Sequence, residues 1–437
     1  MERHTCGMFP LTGNGPLCGE SQSGMDMPSV RLSLRGLVLI AVVTCLVAIG
    51  LVVAPTARAK NVVTKCKGGH ASQYPCKGID LVSHMPPDQL AGARIADVWG
   101  WRDPETKKEY AILGSTRGIL FVDVTRPLAP VYLGNVAPKD PVGIWQELEI
   151  FQNHVYAVCD LVPCGLQIFD LTRLRGVEAA QPWAPDVVFP LTTVHTIDLN
   201  PDTGMLYANG TFFPAPGPQL IFDVNVPKAP VLVGMTADDG YSHDSLCRNY
   251  KGPDKDYKGK EICFNFNEDT VTIYDMSNHA APTQIARVTY DNASYVHSGT
   301  LTKGHEYLVS TDEGDEQDHG LRSTSYIWDV RDLDKTKLAG IYTAKTASID
   351  HNMYSEGDAI FHASYTAGLR ILDSSQAGKG KLKEVAYFDI MPQGDVAAFD
   401  GTWAAYPYLP SGNVLVGGMS QGLYIVTPDP KILKRLR

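Results

Sequence analysis

Short runs that alternate large apolar residues with smaller or polar ones recur along the chain, each closing on Asp and then a polar or Pro-containing turn. Copies run from Gly118 to Asp123, Gly165 to Asp170, Gln219 to Asp223, Val271 to Asp275, Ser325 to Asp329 and Gly368 to Asp373. A seventh, Gly422 to Thr427, carries Thr in place of Asp. The spacing of 44 to 54 residues is the length of a propeller blade. The repeated Asp is expected to hold the turn that follows each run through its side chain.

Seven copies predict an all-β, seven-bladed β-propeller with four strands per blade. In blade 5 the strands are predicted at His297 to Leu301, Glu306 to Thr311, Thr324 to Val330 and Leu338 to Thr343. The last blade lacks a fourth strand, because the chain ends soon after Pro428. Ile79 to Ser83 is a strand with no blade of its own. It is predicted to complete blade 7 and close the ring, which removes exposed sheet edges. Two unrelated β-sandwiches would not explain a repeat spread evenly over this length.

The first strand of each blade lines the channel of such a ring. Blades 3 to 6 place a histidine there, His195, His243, His297 and His351, each 22 to 32 residues before its blade's Asp. The other blades offer Asp97 or Trp99, Glu147, and Asp400 or Trp403. Like positions in a ring face a common axis, so the four imidazoles form a candidate metal or ligand site. Glu147, Asp244 and Asp350 are the candidate acceptors that orient the rings. Imidazole suits Zn, Cu, Fe or Ni. The opposing reading is structural, with each residue bonding the neighbouring blade's backbone.

Five acids crowd the seven residues from Asp312 to Asp318, in the loop between strands two and three of blade 5. That loop emerges on the same face as the start of strand one, beside His297. Asp312, Asp315 and Asp318 make it a candidate calcium loop. A solvated acidic loop is the commoner explanation, since EF-hand spacing is absent. The Lys251 to Lys260 stretch is read as solvated surface on the opposite face. The chain lacks a Gly-x-Ser-x-Gly elbow, a phosphate-binding loop and an HExxH motif.

Composition adds limits. Gly and Pro together number 69 of 437 residues, which suits short strands and turns better than helices. Net charge is −10, so nucleic acid is excluded as a generic partner. A 17-residue apolar run from Leu37 to Val53 follows Arg31 and Arg35 and precedes Ala57-Arg58-Ala59, so residues 1–59 read as a signal peptide cleaved after Ala59. Met25 or Met27 as the true start gives this leader an ordinary length. Uncleaved, the run is an N-terminal membrane anchor, and only then is the membrane a partner. Residues 60–430 are then one propeller, and 431–437 a short basic tail.

The six cysteines beyond the leader form three close pairs: Cys66 with Cys76, Cys159 with Cys164, and Cys247 with Cys263. An even count at short spacing suggests disulfides in an oxidising compartment, with local pairing favoured over the other connectivities. Asn209 and Asn292 open glycosylation sequons.

Several segments carry a family resemblance: Asp97 to Trp101, Asn153 to Tyr156, Gly240 to Asp244, Tyr257 to Asn265, Tyr326 to Val330, Ser348 to Asn352, Tyr365 to Asp373 and Pro407 to Val414. Through them the chain resembles the secreted choice-of-anchor B family, whose propeller relates to the LVIVD-repeat group. The resemblance implies export and a propeller, and carries no activity. Members often end in a sorting or anchoring tail, and Lys431 to Arg437 is not one. The expectation is a secreted or cell-surface binding or interaction module for an unidentified small molecule or extracellular protein. The alternative is a metal-dependent enzyme using the ring of histidines.

Overall fold

A computed structural model describes residues 62–138, 143–212, 217–236 and 238–437. The leader, its cleavage site and both alternative starts lie outside the described residues. The described residues form seven sheets, each with an antiparallel four-stranded core, arranged as the blades of a β-propeller. Blade 5, at Val296–Leu301, Tyr307–Asp312, Thr324–Asp329 and Lys337–Thr343, matches the expected strands to within a residue at most ends.

The middle strands of each blade are buried on both faces. Glu109–Ser115, Glu261–Phe266 and Ala359–Ser364 are buried at every position. The outermost strands are partly exposed, as at Val231–Thr236. The cause is blade stacking: each sheet packs face to face on two neighbours, so its central strands have no solvent side. The apolar core therefore divides into seven clusters, one at each seam between consecutive blades. The cluster holding Ile95, Leu113 and Leu120 of blade 1 with Trp403, Leu415 and Leu423 of blade 7 closes the circle.

Closure is also made in hydrogen bonds. Ile79–Met85 pairs antiparallel with Gly422–Pro428, Ile79 opposite Pro428 and Met85 opposite Leu423, as the fourth strand of blade 7. Two blades gain additional strands. Gln181–Trp183 lies parallel on the outer strand of blade 1, where a Cβ on Gly134 would come within 1.8 Å of the Gln181 carbonyl oxygen. His70–Ala71 and Tyr74–Lys77 extend blade 6. The segment read as a basic tail is a helix, Pro430–Leu436, capped by Asp429, with Leu433 and Leu436 buried against blades 6 and 7.

Each repeated Asp ends the third strand of its blade and accepts the backbone N–H two residues on. The acceptors are Asp123 (from Thr125, 2.9 Å), Asp170 (Thr172, 3.0 Å), Asp223 (Asn225, 2.9 Å), Asp275 (Ser277, 2.9 Å), Asp329 (Arg331, 3.2 Å) and Asp373 (Ser375, 3.0 Å). This is the turn-holding role read from the sequence. All three local disulfides are present. Cys247 and Cys263 face each other across the first two strands of blade 4. Of the two sequons, Asn292 is exposed, whereas Asn209 is fully buried and bonded to Thr196, Ser245 and Gln219, so the folded chain offers no glycosylation site there.

Candidate functional site

His297 is the second residue of the first strand of blade 5, and His195, His243 and His351 lie one or two residues before the first strands of blades 3, 4 and 6. Their backbones are set by pairing with the second strand. The N–H of His195 donates to Asn209, that of His243 to Phe266, and that of His351 to Ala363. His297 sits in a register shift between Val296 and Gly299, and Trp403 of blade 7 in a similar one. Such bulges re-aim a side chain. The four imidazoles form one arc at one mouth of the channel. Consecutive ring centroids are 4.2, 4.6 and 4.4 Å apart, and Trp403 continues the arc at 4.9 Å from His351.

Three of the four rings are held by Nδ1. His195 Nδ1 lies 2.8 Å from Asp160 Oδ2, His243 Nδ1 2.9 Å from the Tyr295 hydroxyl, and His351 Nδ1 2.6 Å from the Trp403 carbonyl oxygen. Carboxylate and carbonyl oxygens accept, so His195 and His351 carry their proton on Nδ1 and keep a lone pair on Nε2. Glu313 reaches the same place from the acidic loop. Its Oε1 is 3.3 Å from His351 Nε2, its Oε2 is 3.7 Å from His297 Nε2, and the Tyr365 hydroxyl donates to Oε1 at 2.6 Å. One ligand atom from each of His243, His297 and Glu313 lies within 4.8 Å of the other two. His243 Nε2 and His297 Nδ1 are buried without a hydrogen-bond partner. Beside them a cavity of about 10 Å³ is lined by His195, His297, His351, Trp403 and Glu147, close to the space of one water molecule.

Burial and mutual repulsion hold His243 and His297 well below the ordinary imidazole range, and burial lowers His351 to about 3. These rings are neutral at neutral pH, with lone pairs free for a metal. Burial pushes Glu313 up to about 7.

The bracing expected of the histidines falls mainly to other residues. Asp97 of blade 1 accepts the Leu148 N–H of blade 2 at 3.0 Å, and Asp198 of blade 3 accepts the Cys247 N–H of blade 4 at 2.6 Å. Thr196 donates to the His243 carbonyl at 2.8 Å and Ser298 to the His351 carbonyl at 3.0 Å. Only His351 among the four spends a ring nitrogen on a neighbouring blade's backbone.

Among the described residues none of the expected orienting acids is hydrogen-bonded to a histidine ring. Glu147 lines both the small cavity and a second chamber further along the channel, and Asp244 lines the second chamber. Asp350 turns away from the rings, accepting from Ser325 and the Asp312 N–H at 3.2 Å each. Asp160 and Tyr295 do the orienting. Neither stands out in sequence, because each acts across a blade seam that no spacing reveals.

The acidic loop is not a solvated face. Asp312, Asp315, Glu316 and Asp350 are buried. Asp312 accepts from Tyr290, Ser294 and Tyr295 at 2.6 to 2.8 Å, which draws the loop inward. Asp315 accepts from Tyr326, and the exposed Asp318 from Ser294. Asp312 and Asp318 are bonded to separate protein donors and Asp315 Oδ2 to Tyr326, while Asp315 Oδ1 is buried without a partner; Glu313 is the member of this loop that joins the histidines.

No family model matches the chain, and no curated protein matches it in sequence. Among the described residues no helix is long and apolar enough to cross a membrane.

Proposed function

We propose that the chain is an exported metal-binding propeller, with one transition-metal ion held at the channel mouth by the four histidines and Glu313. The observation that carries this reading is the convergence of one ligand atom each from His243, His297 and Glu313, with both imidazole rings also keeping a buried nitrogen without a hydrogen-bond partner. Buried polar atoms without partners are uncommon and call for an explanation, and a bound ion supplies one. An imidazole-rich set with one carboxylate suits Zn, Fe, Cu or Ni. Nδ1 bonds to a carboxylate and a carbonyl oxygen are the usual outer support of metal-ligating histidines. Export is supported by three disulfides and by the resemblance to the choice-of-anchor B family.

Metal analysis of purified mature protein tests the assignment. About one ion per chain is expected, falling below about a tenth in His243→Ala and His297→Ala with near-UV circular dichroism retained. Wild-type protein with only traces of metal, or variants that keep it, would overturn the reading.

A second reading, an interaction module with its ligand at this mouth, draws on a different feature. Trp145, Leu161, Phe212 and Phe399 are exposed on loops of the histidine face. Surface apolar residues gathered around a mouth favour a ligand or partner there. The same face serves both readings, and the metal content decides whether an ion is part of it.

A further inference from the structure

Beyond Glu147 and Asn352, which line both spaces, the channel widens into a chamber of about 470 Å³. It reaches the loops that join first and second strands, opposite the histidine mouth. Its charges are unevenly matched. Arg248 is committed: Nη1 donates to Asp198 Oδ1 at 2.8 Å and Oδ2 at 3.0 Å, and to the Cys247 carbonyl at 2.7 Å. Glu149 lies in the field of the same guanidinium. Glu147 and Asp244 have no such partner. Among the described residues no donor is hydrogen-bonded to Glu147, and Asp244 takes the N–H of its own neighbour Ser245 at 2.7 Å beside the Thr196 hydroxyl. The walls are aromatic, with Trp99 and Tyr354 ring to ring at 6.5 Å and Tyr408 nearby.

We propose that this chamber binds a small organic amine, its ammonium group between Glu147 and Asp244 and its hydrocarbon against Trp99 and Tyr354. An ammonium group brings three donors to a site where Glu147 has none, and gains from an aromatic face. It also relieves a standing cost. Burial, then Asp97 and Asp244, push Glu147 well above the ordinary carboxylate range. A cation beside it favours the charged form. A hard metal ion fits less well. Calcium takes six to eight oxygens at bonding distance, whereas these carboxylates do not converge as a ligand set and the volume is that of an organic ligand's pocket. The chamber acts without the metal proposed at the other mouth.

Calorimetric titration with spermidine at physiological salt tests the site, with 1,7-heptanediol as the neutral probe. Saturable one-to-one binding of spermidine and none of the diol is expected. Glu147→Gln and Asp244→Asn are each expected to weaken binding by about tenfold or more. Neither variant should melt below wild type, since neither removes an ion pair, and both should keep the near-UV circular dichroism of the folded chain. Lys251→Ala, which takes a competing cation from the chamber lining, should leave binding intact or tighten it. Unsaturable heats, equal affinity in the Gln and Asn variants, or diol binding as tight as spermidine would overturn the proposal.

Discussion

His195 donates its Nδ1 hydrogen to Asp160 at 2.8 Å across the seam between blades 3 and 2, which fixes both the tautomer and the plane of the ring. Burial raises the Asp160 carboxyl, but the hydrogen bonds from His195 and the Leu161 N–H help hold it below the usual aspartate range. Asp160→Asn keeps the shape and removes the anion. Metal affinity, read by competition with a chromophoric chelator, is expected to fall about 10- to 100-fold while the fold is retained. An unchanged affinity would mean that His195 is not a ligand.

A second prediction concerns protons rather than metal. Asp315 Oδ1 and Glu316 Oε2 are buried with no partner. Burial, then the charge of Asp315, push Glu316 up to about 9. Below an ordinary glutamate pKa of about 4.5 the group is protonated whether the chain is folded or unfolded. Between there and about 9 the folded chain holds a proton that the unfolded chain releases, so stability falls as pH rises, by about 1 kcal/mol per pH unit. Glu316→Gln fixes the neutral form and offers an amide donor to the neighbouring carboxylates. Its melting temperature should exceed wild type by a margin that widens from pH 5 to pH 8.5. A margin independent of pH would rule out this titration.

The contrast between Asp123 and Glu316 shows what the sequence could tell. The turn role of Asp123 and its counterparts is local, since the acceptor and donor lie two residues apart, so a repeated pattern reveals it. The histidine arc was legible for a related reason. Each of His195, His243, His297 and His351 falls 22 to 32 residues before its blade's Asp, near the start of the blade, and the repeat assigns that position to the channel end of the first strand. Glu316 and Glu313 read as part of a solvated run because charge density alone suggests exposure. Their burial follows from Asp312 capturing the N–H groups of Ser294 and Tyr295, a contact between two loops of blade 5 that spacing does not encode. Asp350 was misjudged as an orienting acid because it adjoins His351. Its carboxylate accepts from Ser325 and from the Asp312 N–H instead.

The Cys247–Cys263 bond gives a prediction on stability. Both sulfur-bearing residues are fully buried, and the bridge closes a loop spanning 16 positions that includes the Lys251 to Lys260 stretch. Chain-entropy reasoning puts such a loop near 3 kcal/mol. The Cys247→Ala, Cys263→Ala double variant should lose about 2–4 kcal/mol in urea titration under oxidising conditions. A loss below about 0.5 kcal/mol would show that cross-strand pairing alone carries this hairpin.

Ring closure can be tested by removing the strand that performs it. A chain beginning at Pro86 keeps every first strand and all four histidines but leaves Gly422–Pro428 without the partner strand Ile79–Met85. It also loses Tyr74–Lys77 from the outside of blade 6, and Tyr74 with Ile79 and Leu81 from the core shared by blades 6 and 7. An open edge of buried-type sequence, Leu-Tyr-Ile-Val from Leu423 to Val426, is a template for pairing with another chain. The shortened protein is expected to self-associate in light scattering and to melt at a lower temperature than the full propeller. Supplying residues 62–85 as a separate peptide should restore the monomer, because the missing strand needs only to find its register opposite Leu423 to Pro428. A shortened chain that stays monomeric with an unchanged melting temperature would show that the seam between blades 7 and 1 holds the ring by side-chain packing alone.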